Sequence, residues 1–342
     1  MTATRAATFV TALAAAAALA GCGLLAGCGK FAPIGQAAGP SGKHATAPAP
    51  AGTRTSAPPP FNMSSLLDPP SGKFLGMEAN GAPASLGPVR SFAAAARRPN
   101  LIGQYVGWNT SFDAAAATRA WSYGAIYYMA WEPYGTTVAD IAAGRSNAYI
   151  TKFATAVRAL DLPVAISFGH EMNGNWYPWG TTGTTPAEFV AAWRLIHGLF
   201  TGVGATNVIW VWNPNDIFPV PQVQLAPYWP GNAYVNWVGI TGYFANDGPQ
   251  TWATLFTPTM REIRQFTDEP FLIAETSVQT STADVSCVNS LVRGVIRHKD
   301  VLGLIWFNYD KAGVDWRIQS RPAVQAAFDH DAAGLQLVDP RT

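Results

Sequence analysis

Pro163-Val164-Ala165-Ile166-Ser167-Phe168-Gly169-His170 is a run of strand length in which Ser167 is the one polar side chain ahead of His170. A strand with one wet face alternates apolar and polar residues. This one does not, so it reads as a strand covered on both faces, as in a parallel sheet. Downstream, Thr185-Pro186-Ala187-Glu188 opens a helical stretch: Thr caps, Pro takes the first helical position and Glu completes a capping box. The same strand-then-helix unit recurs along the chain. Apolar runs of this kind lie at residues 74–78, 101–108, 125–131, 163–170, 207–213, 237–243, 271–275 and 302–307. Eight such units in about 270 residues predict an α/β fold, a (β/α)8 TIM barrel. An open doubly wound sheet has the same rhythm, but no Gly-rich dinucleotide or phosphate loop follows the first run. No internal repeat is present.

In such barrels the working residues sit at the carboxyl ends of the strands. The polar residues there are Glu78, Asn109, Glu132, His170-Glu171, Asn213-Asn215-Asp216, Tyr243, Glu275 and Asn308-Asp310. Trp108, Trp131, Trp176, Trp179, Trp212, Trp306 and Tyr309 interleave with them. Several acids beside several large aromatics suit cleavage of a glycosidic bond, where one carboxyl protonates the leaving oxygen and another attacks or activates water. A lone Glu is more often a cap or half of an ion pair. Glu171 and Glu275 stand apart because each ends an apolar run, where a charge must be hydrogen-bonded or used. Glu132 also ends a run and competes with Glu275 as the second carboxyl.

Composition narrows the alternatives. The net charge is +1 with no basic cluster, which excludes a nucleic-acid groove. The 13 Trp, 11 Tyr and 17 Phe are an unusual share; most fill a large core, and the rest can supply flat faces for sugar rings. His170-Glu171-Met172-Asn173-Gly174 begins like a zinc-binding H-E-x-x-H, but Gly174 occupies the place of the second His. Five His leave little for a metal site, and neither metal nor cofactor is expected. No G-x-S-x-G elbow offers a serine nucleophile.

The first 28 residues carry Arg5, an Ala/Leu-rich stretch and two Leu-Ala-Gly-Cys sequences ending at Cys22 and Cys28. They read as a secretory signal of the lipoprotein kind, with Cys22 or Cys28 acylated. The expected location is the outer face of a bacterial cell membrane, or secretion. Residues 29–70, rich in Ala, Pro and Gly, read as a disordered tether. Residues 71–340 form the barrel, expected to act as a monomer. Cys287 reads as a small buried hydrophobe.

These residues resemble glycoside hydrolase family 26. The resemblance lies in His170-Glu171-Met172-Asn173-Gly174 followed by Trp176-Tyr177-Pro178-Trp179-Gly180, with ordered satellites. The satellites are Trp131-Glu132-Pro133, Val211-Trp212-Asn213-Pro214-Asn215, Tyr228-Trp229-Pro230-Gly231, Ile273-Ala274-Glu275-Thr276 and Trp306-Phe307-Asn308. It covers roughly residues 74–320. It implies a retaining (β/α)8 enzyme with Glu171 as acid/base and Glu275 as nucleophile, acting on a polysaccharide, β-mannan or β-glucan. Substrate contacts are expected from His170, Trp176, Trp131, Tyr243, Trp306 and Asn213, with Tyr243 bonded to the nucleophile. Ser167-Phe168 stand where the family's mannanases commonly have Arg-Pro, and Asn236 and Thr241 where Asp is usual. The leading expectation is an endo-β-1,4-mannanase. An endo-β-1,3/1,4-glucanase comes second, and an idle carbohydrate-binding lipoprotein would lack one of the two Glu.

Overall fold

The computed structural model describes residues 61–68, 72–280, 283–311 and 313–342. Strands β1 (Phe74–Glu78), β2 (Leu101–Gly107), β3 (Ile126–Glu132), β4 (Val164–Phe168), β5 (Val208–Trp212), β6 (Trp237–Thr241), β7 (Phe271–Thr276) and β8 (Val301–Phe307) pair in sequence order. All pairs are parallel, and β1 closes on β8. The (β/α)8 barrel is therefore the observed fold. Cys22, Cys28 and the proposed signal lie outside the described residues.

Local sequence sets the helices. Thr185 and Glu188 form the reciprocal capping box at the start of the helix Pro186–Gly202. Asp113 caps Ala114–Tyr123 through the Ala116 N–H at 2.8 Å, and Gly124, in the left-handed region at φ 95°, ends it. The helix Asn147–Leu160 buries Phe153, and Pro186–Gly202 buries Phe189, Trp193 and Phe200, against the strands. Trp193 is fully packed there, its indole N–H donating to the Tyr234 carbonyl at 3.0 Å.

Side chains along each strand alternate between the barrel interior and the helix layer, and that phase corrects two expectations. Trp131 faces the helix layer: its ring stacks on Phe153 with centroids 4.5 Å apart, and its indole N–H donates to the Tyr149 hydroxyl at 3.3 Å. Trp306 does the same on β8, donating to the Trp316 carbonyl at 3.0 Å and packing edge-on to Phe328. Both are fully buried and outside the cleft. Their successors point inward instead. Phe307 meets Tyr309 at 4.5 Å and Tyr243 at 5.7 Å within the barrel mouth.

The tether was expected to continue to residue 70, but residues 61–68 pack onto the barrel. The helix Met63–Leu67 is capped by Asn62, Leu66 is buried, and the Leu67 carbonyl accepts from the Trp237 indole at 2.9 Å. Trp237 and Phe74, whose rings are 5.2 Å apart, are the first residues of their strands, so this segment covers the barrel floor. The C-terminal stretch lies on the same floor. The Val338 N–H donates to the Lys73 carbonyl at 3.1 Å, and the Asn100 side chain ties Lys73 and Val338 together.

Candidate active site

The loop after β4 holds Glu171 in a shape its sequence explains. Gly169 and Glu171 both have positive φ, 54° and 55°. Glycine adopts this region freely, whereas Glu does so at a cost that the surroundings must cover. They do so with three ties. The Glu171 N–H donates to the Asn213 carbonyl at 2.7 Å, and its carbonyl accepts from Gly174 at 2.9 Å. The Asn173 side chain clasps Asn215, donating to its carbonyl at 2.9 Å and accepting from its N–H at 2.8 Å. The Trp179 indole donates to the His170 carbonyl at 2.7 Å. The motif residues thus pin the loop from three directions.

Glu171 Oε2 accepts from the Trp176 indole at 2.6 Å. Trp176 is half-buried, so one part of its ring stays open to the mouth. His170 is buried among Tyr105, Tyr177 and Trp179, with its Nε2 3.3 Å from the Tyr177 hydroxyl. Burial pushes its pKa down to about 3, so the ring is neutral at any working pH. Asn213 lies beneath the mouth, its side chain filling the space left by Gly239, where a Cβ would fall 2.8 Å from the Asn213 Cβ.

Glu275, near the end of β7, accepts two hydroxyls: Tyr105 donates to Oε2 at 2.6 Å, and Tyr243 makes a short bond to Oε1. The two carboxyls feel each other. Burial first, and then the Glu275 charge, push Glu171 well above the usual carboxylate range, the Trp176 N–H offsetting part of this. Burial raises Glu275 too, but the Tyr105 and Tyr243 donors and the Lys311 charge pull it back. Two like charges in one dry site are disfavoured, so one proton is shared unequally. With two hydroxyl donors against one indole N–H, Glu275 is the easier of the two to ionise.

Three further acids join this layer. Burial, then the Glu275 charge, raises Glu132 to about 8, while Glu78 is pushed well above its usual range by the same two causes. Asp216 rises to about 7 through burial, partly offset by the Phe218 N–H and Asn215. Tyr105 and Lys311 were not among the expected site residues. Tyr105 lies inside β2 rather than at its end, and Lys311 sits on the hairpin of β9 (Asp310–Lys311) and β10 (Val314–Asp315) beyond the barrel. The only sequence signal for Tyr105 is a hydroxyl within an apolar run.

A closed barrel whose strand ends converge on paired buried carboxyls in an aromatic mouth is built like a glycoside-cleaving enzyme. Residues 114–297 match the profile of glycosyl hydrolase family 26, and the chain belongs to that family. Endoglucanase H of Acetivibrio thermocellus is 29% identical over 260 residues, 71% of this chain and 28% of that protein. A mannan endo-1,4-beta-mannosidase of Bacillus subtilis is 29% identical over 110 residues, 29% of each chain. The chain thus spans well under half the length of these curated relatives. A GH26 beta-mannanase structure from Bacteroides ovatus shares the fold with TM-score 0.60 at 14% identity, covering 82% of this chain and 95% of that one.

Proposed function

We propose that the protein is a retaining endo-β-glycanase that cuts β-1,4-mannosidic bonds in mannan-type polysaccharides. The observation that carries this reading is the unequal pair: Glu171 with one donor and a raised pKa, Glu275 with two hydroxyl donors and a nearby ammonium. Glu171 gives its proton to the leaving oxygen as Glu275 attacks the anomeric carbon, forming a glycosyl-enzyme. Glu171, now ionised, takes a proton from water, which displaces Glu275 with net retention. Tyr105 and Tyr243 hold the nucleophile, neutral His170 packs against Tyr105, and Trp176 orients the acid.

The second reading, an endo-β-1,3/1,4-glucanase, is favoured by the long match to Endoglucanase H, against the shorter one to the mannosidase. Incubating the purified protein with mannan, barley β-glucan, xylan and curdlan, and measuring reducing ends, separates the two. NMR of the first product must show the β-anomer; an α-anomer rejects retention. Glu171→Ala is expected to form the intermediate from activated aryl glycosides but not to degrade polysaccharide, whereas Glu275→Ala loses both. Full glycosylation activity in Glu275→Ala, with none in Glu132→Gln, would move the nucleophile to Glu132.

We also infer a lipid anchor at Cys22 or Cys28 and a place at the outer face of the membrane. Labelling with a fatty-acid analogue tests it, and labelling that persists in the Cys22→Ser/Cys28→Ser double variant rejects it.

A further inference from the structure

The mouth holds buried polar atoms without a well-formed hydrogen bond to any described residue: both oxygens of Glu78, whose near neighbour Tyr105 gives its proton to Glu275 instead, Oε1 of Glu132 and Nζ of Lys311. These residues come from β1, β3 and the β9–β10 hairpin. They act on one another and on Glu275 electrostatically, so they face one space on the nucleophile's side of the acid pair. Glu171 has Trp176 and Asp216 beside it, and of the three residues only Glu132 acts on it as well. Lys311 makes no ion pair among the described residues, which leaves a gap between its ammonium and the carboxyls. The gap is built into the backbone. A Cβ at Gly103 would fall 2.4 Å from the Glu78 Cγ, so only glycine there lets this carboxyl lie where it does. The Lys311 ammonium sits 5.3 Å from the centre of the Tyr309 ring, which steadies it.

Burying unpartnered polar groups is costly, and several around one space form a site awaiting a ligand. A metal ion does not fit: no group of three or more described His, Cys, Asp or Glu side chains is placed to hold one, and the Lys311 ammonium already brings a positive charge to these acids. A free anion does not fit, because the carboxyls outnumber the lysine. Neighbouring hydroxyls do fit, since each both donates to a carboxyl oxygen and accepts from an ammonium. We propose that Glu78, Glu132 and Lys311 form a hydroxyl-reading subsite for the glycone sugar beside Glu275, with Lys311 the specificity-determining residue. The inference rests on the glycanase reading and adds the residues that choose the sugar. Lys311 has this role because it lies on a short hairpin that can vary without disturbing the barrel.

The test uses Lys311→Met and Lys311→Arg in the full chain, each assayed at its own pH optimum after its melting temperature has been matched to the parent's. Lys311→Met is expected to lower kcat/KM on the preferred polysaccharide about tenfold or more relative to the others, and Lys311→Arg to restore most of the parent's preference. A loss of kcat/KM that is equal on every polysaccharide, or no loss, overturns the subsite. If the parent releases no reducing ends from any of the four polysaccharides, the glycanase reading fails separately, and calorimetry with mannopentaose and cellopentaose then decides. Binding by the parent that is lost in Lys311→Met supports the subsite. Equal binding, or none by the parent, overturns it.

Discussion

Replacing Tyr243 or Tyr105 by Phe removes one hydroxyl from Glu275 and leaves the ring in place. Both hydroxyls donate to the ionised form, so both lower the carboxyl's pKa against the burial that raises it. A hydrogen bond to a charged group contributes about 1.5–3 kcal/mol. At about 1.4 kcal/mol per pH unit, losing one raises the Glu275 pKa by about one to two units. In the proposed mechanism Glu275 attacks as the carboxylate, so the acidic limb of kcat/KM moves to higher pH by that amount. Activity should return on the alkaline side until Glu171 in turn loses its proton. The assay is a pH profile of kcat/KM for parent, Tyr105→Phe, Tyr243→Phe and the double variant. An acidic limb that stays put in both single variants, while activity falls evenly at all pH values, refutes the view that these hydroxyls tune Glu275.

Other outcomes follow from the same geometry. Trp176→Phe removes the donor to Glu171, so the basic limb of the profile is expected to shift upward with little change in the acidic one. Trp306→Ala empties a fully buried site, and calorimetric unfolding should show a loss of about 3–5 kcal/mol, with the catalytic constants of the folded fraction unchanged. Glu132, near 8 in the folded state and about 4.3 when unfolded, holds a proton that unfolding releases between those values. Stability should therefore fall as pH rises from about 4.3 to 8, and the fall should be shallower in Glu132→Gln melting curves. Leu66→Asp, which puts a charge into the floor contact, should lower the melting temperature while leaving KM unaltered.

The eight strands were legible because strands covered on both faces are apolar throughout, a pattern that helices and exposed sheets do not produce. Glu171 was legible because its loop needs Gly169, Asn173 and Trp179 at fixed offsets, and such offsets survive in a linear string. Trp131 and Trp306 were misread for the same reason that the strands were found. A run with no alternation carries no phase, so nothing in it says which of Trp131 and Glu132, or Trp306 and Phe307, faces inward. Tyr105 escaped because it reaches Glu275 from β2, and closure of the barrel rather than spacing brings it there; Lys311 escaped because it lies on the hairpin after β8, past the strand ends that were searched. Residues 61–68 passed for tether because Leu66 and Leu67 are too few to mark a packed segment. Their partner Trp237 lies far along the chain.

Both described ends of the barrel lie on its floor, at Phe61–Leu67 and around Val338, while the carboxyls open at the opposite face. Such a barrel is a cassette. A neighbour joined at either end hangs below the sheet, and a bead or carrier coupled there leaves the mouth open from above. Loops at the mouth can be remodelled for a different sugar without touching the joints, and the joints can be lengthened or cut without reshaping the cleft.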